Sequence, residues 1–286
     1  MSNLLIDCKD FLRFNLFFVL IVFAVVTNAQ ELKKIKINSK DQGFTEEFFV
    51  LKANREIRQG TYVKYGLDRK PLTKGYYKDN LKDSVWTSFF RNSNLMSSKG
   101  HFKNGEKNGV WIEYFYNGSR VAPASKGVYF DNERVGEWKF YGTDNGLAQV
   151  YNYTTEELVY FSKTCTPNQD QACQVKTVEG IINVQLDHPP MYLGGHSKIM
   201  DDLFAIGIKY PGKAMKKGIQ GEVVISFFVD ENRNTFGYAV EQGIGGGCDE
   251  EALNAVTQLP LNWIPGTLAG KKVEAKYFVT INFATE

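Results

Sequence analysis

Two sets of residues have types and spacings that could do chemistry. The first is "GIGGGCDEEA", residues 243–252, where Gly245–Gly247 run into the start of a helix. Glycine-rich turns ahead of helices bind phosphate, because free backbone N–H groups and the positive end of the helix dipole converge there. A Walker loop needs Lys and then Ser or Thr after its last glycine, and the dinucleotide fingerprint needs glycine at its first, third and sixth positions. Here the sixth position is Cys248, and Asp249, Glu250 and Glu251 follow. Carboxylates in a first helical turn satisfy the free amides and the dipole themselves and repel a phosphate. The loop reads as a structural corner.

The second set comprises thiols, imidazoles and acids. Cys165 and Cys173 bracket "CTPNQDQAC" and could close a small disulfide in an oxidising compartment, leaving Cys248 unpaired. No Cys-x-x-Cys pair occurs. His188 and His196 flank "PPMYLGG" without metal-ligand spacing, which favours a surface role. Asp201 and Asp202 read as the solvated face of a helix. With no nucleophile–base spacing either, the sequence offers no catalytic residue, no metal site and no cofactor site. A non-enzymatic protein is expected.

The elements that carry these residues begin after a leader. Lys9 and Arg13 precede the apolar run Leu16–Val26, and "TNAQ" follows. A charged lead, a short apolar stretch and small residues at Thr27 and Ala29 predict a secretory signal peptide over 1–29, cut after Ala29. The run is short of the roughly 20 residues a membrane span needs. If uncleaved, the segment would be an inner-membrane anchor; otherwise the protein is periplasmic. The chain has 286 residues and a formal charge of +2, so the clustered basic face of a nucleic-acid binder is not expected.

From about residue 58 to 146 the chain repeats itself. Gly75, Gly100 and Gly127 are each followed two residues on by an aromatic (Tyr77, Phe102, Tyr129) and eleven residues on by Trp86, Trp111 and Trp138. Aromatic-rich runs separated by Asn, Asp, Gly and Lys predict β-hairpins that must stack to bury a face. The spacing resembles MORN-type repeats in their looser bacterial form, which implies a protein-binding or scaffold surface. A stripe of aromatics could also bind glycans, although a shared core is the simpler use of the rings. A first strand is expected near "EEFFVLKA".

The last hundred residues predict one compact α+β unit. Helical stripes run over Ser197–Ile208, Pro211–Lys217 and Asp249–Leu259. "GEVVISFFVD" and "TFGYAVEQ" form a hairpin. In the final strand Val273, Ala275, Tyr277, Val279, Ile281 and Phe283 point one way, while Lys272, Glu274, Lys276, Phe278, Thr280 and Asn282 point the other. That is the signature of an antiparallel sheet covered on one side. Pro190 with Gly194–Gly195, Lys209–Tyr210–Pro211, Gly218–Gly221 with Val223, Gly243–Ala252, and Trp263–Pro265–Gly266 with Gly270 together resemble the TonB C-terminal domain of energy-transducer proteins, over residues 187–283.

That resemblance implies a periplasmic domain that grasps TonB-dependent outer-membrane transporters. Their short N-terminal segment would add as a strand to the last strand, mapped here to Lys276, Tyr277, Phe278, Val279, Thr280, Ile281 and Asn282. It also implies the ExbB–ExbD inner-membrane motor as a possible second partner. Two features depart from the full transducer: Leu16–Val26 carries no polar side chain for a motor, and a chain with eight prolines has repeats where the family has a long linker.

The expected architecture is mainly β plus α+β, an aromatic hairpin-repeat domain followed by a two-layer TonB-like domain. The expected division is a leader at 1–29, repeats at 30–150, a linker at 151–185 and the C-terminal domain at 186–286. A repeat-based envelope scaffold or glycan binder with no transport role is the alternative.

Overall fold

The computed structural model of the protein describes residues 31–39, 41–116, 121–142, 144–162 and 172–284. The leader and Cys165, and with it the Cys165–Cys173 pairing, lie outside the described residues.

The repeats form one antiparallel meander of eleven strands in sequence order. These are β1 (Leu32–Ser39), β2 (Phe44–Leu51), β3 (Arg58–Gly66), β4 (Pro71–Lys78), β5 (Leu81–Phe89) and β6 (Met96–Lys103). They continue as β7 (Glu106–Tyr116), β8 (Val121–Phe130), β9 (Glu133–Tyr141), β10 (Leu147–Asn152) and β11 (Glu157–Phe161). β1 was not expected: "LKKIKINS" is exposed along nearly all of its length, so it shows no core-facing pattern.

Each repeat is built on one geometry. The turn pairs Asp79–Asn80, Asn104–Gly105 and Asp131–Asn132 all have positive φ, as the tight mirror-image hairpin turn demands. A second positive-φ position lies two residues before each Trp, at Ser84, Gly109 and Gly136, and bulges the strand there. The repeat glycines exist for the indoles. A Cβ at Gly75, Gly100 or Gly127 would fall 2.1, 2.0 or 2.2 Å from the ring of Trp86, Trp111 or Trp138. Each indole therefore lies flat on the neighbouring backbone. Its Nε1–H donates to the carbonyl of the residue after that glycine, Tyr76, His101 or Val128, at 3.0–3.1 Å.

From Tyr62 through Tyr77, Trp86, Phe102, Trp111, Tyr129 and Trp138 to Tyr153 the rings form a ladder. Successive centroids are 5.0–6.0 Å apart at 71–86°, the favoured edge-to-face contact. All three repeat tryptophans are buried, so these rings act as core.

Neighbouring hairpins are also stitched through backbone. The Arg58 N–H donates to Asn80 Oδ1 at 2.7 Å, and the Asn80 N–H donates to the Arg58 carbonyl at 3.0 Å. Lys107 and Asn132 repeat the same pair at 2.7 and 3.0 Å. The Gly105 N–H donates to the Lys82 carbonyl at 2.8 Å.

The C-terminal unit is a second antiparallel sheet. Its strands are β12 (Cys173–Thr177), β13 (Gly180–Val184), β15 (Gly221–Val229), β16 (Thr235–Gln242) and β20 (Ala275–Phe283), in the order β13-β12-β20-β15-β16. Two short ribbons flank it: β14 (Met191–Tyr192) with β17 (Trp263–Ile264), and β18 (Gly266–Leu268) with β19 (Lys271–Val273). Helices α1 (Gly195–Ile206) and α3 (Cys248–Thr257) bury Ile199, Leu203, Ala252 and Val256 against Ile225, Phe227, Val279 and Ile281, and the short α2 (Gly212–Lys217) adds Ala214. Helices cover one face only, as the alternation of the last strand requires.

The stretch expected as a linker, 151–185, is divided between the two sheets. Tyr151 and β11 complete the first, while β12 and β13 open the second. The expected long last strand is interrupted at Glu274, separating β19 from β20. Asp202 is not simply solvated. It accepts hydrogen bonds from the Tyr192 hydroxyl at 2.7 Å, through Oδ2, and from Lys198 at 2.6 Å, through Oδ1, fixing α1 to β14.

The two sheets are packed together. Trp138, Phe140 and Tyr151 share a core with Met191, Leu193 and Ile264. Buried Gln149 clamps the junction: its Nε2 donates to the Tyr192 carbonyl at 3.1 Å, and its Oε1 accepts from the Gly194 N–H at 2.8 Å. Arg233 adds bonds to the Tyr151 hydroxyl and to Glu156.

Candidate docking edge

β20 pairs with β15 along its whole length, from Gly221↔Phe283 to Val229↔Ala275. On its other side β12 meets it at one register position, Val175↔Ala275, with the Lys176 N–H donating to the Glu274 carbonyl at 3.0 Å. Main-chain groups in an antiparallel strand alternate in direction with period two. Since Glu274 faces β12, the N–H and C=O groups of Lys276, Phe278, Thr280 and Asn282 face the same way. β12 lies opposite the first of them, Lys276, and no described strand lies alongside Phe278, Thr280 and Asn282. The result is a notch in mid-sheet, closed at one end by β12 and open beside the rest of β20. β16 is a second open edge, because among the described strands it pairs only with β15.

The seven residues mapped from the sequence thus divide by role. Val279 and Ile281 are buried in the helix-covered core, and the Tyr277 ring lies 4.9 Å from that of Trp263. Burial pushes the Tyr277 phenol up to about 12, so it stays neutral. On the other face the Lys276 Nζ is 2.7 Å from Glu241 Oε1, which also accepts from the Ser226 hydroxyl at 2.6 Å. The hydrogen bonds from Lys276 and Ser226 hold the Glu241 carboxyl below the usual range. Lys276 also stands over the Phe278 ring, 5.5 Å from its centroid, while Phe278 is 50% exposed. Thr280 is half-buried and Asn282 exposed. Lys272, expected on this face, belongs to β19 instead. Ser226 and Glu241 were missed, since nothing local marks residues that meet Lys276 only across two strand pairings.

The glycine corner beside α3 is already filled. Gly245, Gly246 and Gly247 all have positive φ, and the Ile244 and Gly245 N–H groups donate to the Asp249 carboxylate at 2.8–3.1 Å. The carboxylate thus serves the loop amides, where the sequence had placed it on those of the helix. At Gly246 a Cβ would press on Ile219 at 2.9 Å and Ala214 at 3.0 Å. Elsewhere His188 meets Phe161 edge to face, His196 is exposed, and no cluster of three or more metal-ligating side chains occurs among the described residues.

The fold is thus a small two-layer α+β domain joined to an eleven-stranded aromatic sheet. Residues 207–285 match the family model described as Gram-negative bacterial TonB protein C-terminal. The chain therefore carries a TonB C-terminal domain, which suggests a TonB-like role in energy transduction for outer-membrane transport and a periplasmic or inner-membrane-anchored location. No curated protein matches the chain. No helix among the described residues is long and apolar enough to cross a membrane.

Proposed function

We propose that this protein docks non-enzymatically onto TonB-dependent outer-membrane transporters, taking their N-terminal segment as an added strand beside Lys276–Asn282. The observation that carries the reading is the notch next to β20, within the residues that match the TonB family model. Strand addition draws affinity from main-chain hydrogen bonds and selectivity from alternate side chains. Phe278, Thr280 and Asn282 supply both on the open side. Lys276 guards the edge against indiscriminate pairing, while Phe278 offers an incoming apolar side chain a partner. The reading places the docking step in the described residues and leaves any contact with the ExbB–ExbD motor to the leader.

The test is a photo-crosslinking residue at Phe278 in the intact chain, with Thr280→Pro as the second variant. The Thr280 N–H points into the notch, so proline there removes a docking donor without removing a β15 hydrogen bond. Capture of a transporter through its N-terminal segment, lost in Thr280→Pro, is the expected result. Capture of nothing, or capture that Thr280→Pro leaves intact, would sink the proposal.

A further inference from the structure

The repeat sheet carries a second regularity, independent of the docking edge. Four residues before each ladder ring that opens a unit stands a cation: Arg58 before Tyr62, Lys82 before Trp86, Lys107 before Trp111 and Arg134 before Trp138. Backbone stitches lie at three of these positions, Arg58, Lys82 and Lys107, and the constant offset from the rings sets the four cations in one row across the sheet. Lys82 Nζ sits 4.6 Å from the Trp86 ring and 5.0 Å from Phe102. Lys107 Nζ sits 4.5 Å from Trp111 and 4.7 Å from Tyr129.

The outer members of the row have acids nearby. Arg58 is 3.9 Å from Glu46, and Arg134 is 3.7 Å from Glu113 while also bonding the hydroxyls of Tyr129 and Tyr153. Among the described residues the central pair, Lys82 and Lys107, has no carboxylate in ion-pair contact. Both are half-buried over aromatic faces. Burial and the Lys107 charge together hold Lys82 below the ordinary lysine value. Cation–π contact offsets part of that cost but supplies no counter-charge. A half-buried like-charge pair of this kind is stabilised by an anion from outside the chain.

Lys82 on β5 and Lys107 on β7 are two strand spacings apart, about 10 Å. That exceeds what one phosphate or carboxylate can bridge through two hydrogen bonds of about 2.8 Å. The ligand must present anionic groups at the hairpin interval along a line. We propose that Lys82 and Lys107, flanked by Arg58 and Arg134, bind a linear acidic polysaccharide carrying about one carboxylate per disaccharide. The buried indoles act as the floor that fixes the lysines and do not stack on sugar rings.

The experiment titrates the full chain with hyaluronan oligosaccharides at low salt, against neutral dextran, inorganic phosphate and phosphatidylglycerol vesicles. Lys82→Gln/Lys107→Gln is compared with Lys99→Gln/Lys126→Gln, which removes the same charge from exposed lysines on the opposite face of the sheet. Near-ultraviolet circular dichroism of the tryptophans confirms that both variants keep the ladder. The expected result is hyaluronan binding that weakens at least about tenfold in the first variant and less than about twofold in the second. No binding, equal loss in both variants, or binding to phosphate or vesicles in preference to hyaluronan would overturn the assignment.

Discussion

The two sheets solve one problem in opposite ways. The C-terminal sheet buries Val279, Ile281 and Phe227 under helices, with partners such as Gly221 and Phe283 brought from sixty residues apart. The repeat sheet is a single layer over most of its length, yet its tryptophans are as buried. It achieves this with flat indoles on glycine backbone, rings stacked edge to face and cations above them. Every one of those contacts lies within a unit or between adjacent units, so its stability is close to a sum of local terms. A layered core shares its losses across the domain; a ladder suffers them rung by rung. The two regimes meet where Trp138 and Gln149 contact the C-terminal ribbons.

The largest test is Trp138→Ala against Trp86→Ala. Each should cost about 3–5 kcal/mol in urea unfolding. Trp138→Ala should also weaken amide-exchange protection at Met191–Leu193, whereas Trp86→Ala should leave that segment unchanged. If both variants disturb it equally, the ladder is not local.

Gly100→Ala comes next. Its new Cβ would displace the Trp111 ring and lose the Nε1–H bond to His101, costing about 1–3 kcal/mol and altering the near-ultraviolet spectrum. Alanine at exposed Gly270 on the C-terminal ribbon, where φ is +73° and a Cβ would meet nothing, should cost about 1–2 kcal/mol, the backbone penalty alone.

Gln149→Ala sharpens the junction. It leaves the Tyr192 carbonyl and Gly194 N–H unpaired, costing about 1–3 kcal/mol. Hydrogen exchange should quicken at Gly194 and not at Trp86.

The smallest effect belongs to the wet face of the C-terminal sheet. Glu241 has a lowered folded pKa, so its contribution is fully present above its ordinary value of 4.5 and lost as pH falls through the folded value. Being exposed and screened, the pair with Lys276 should contribute under about 1 kcal/mol. Glu241→Gln should lower stability at neutral pH by that small amount, and the difference from the unaltered protein should vanish as pH falls below 4.5.

Much of this architecture was legible. The Gly–x–aromatic and Trp spacing gave the hairpins, because glycine and indole must meet across one strand pair. The alternation from Ala275 to Phe283 gave the buried and wet faces. What stayed hidden depended on distance or on an unusual residue. Ser84 takes the bulge position where its sister units have Gly109 and Gly136, so the shared positive φ could not be read from residue type. β12 and β13 look like linker because β20, the strand that β12 joins to bring this hairpin into the sheet, lies a hundred residues on. Gln149 is an ordinary polar residue in a strand until Tyr192 and Gly194 arrive. The cation row could have been found, since its interval from each ring is constant.

The stitch between hairpins has a consequence for how such a molecule changes size. Arg58 refers only to Asn80, and Lys107 only to Asn132; neither depends on how many units stand before or after. A duplicated unit would bring its own turn, glycine, indole and cation, and would fit without altering either end. The sheet then works as a ruler, displacing the C-terminal domain by about 10 Å for each hairpin added.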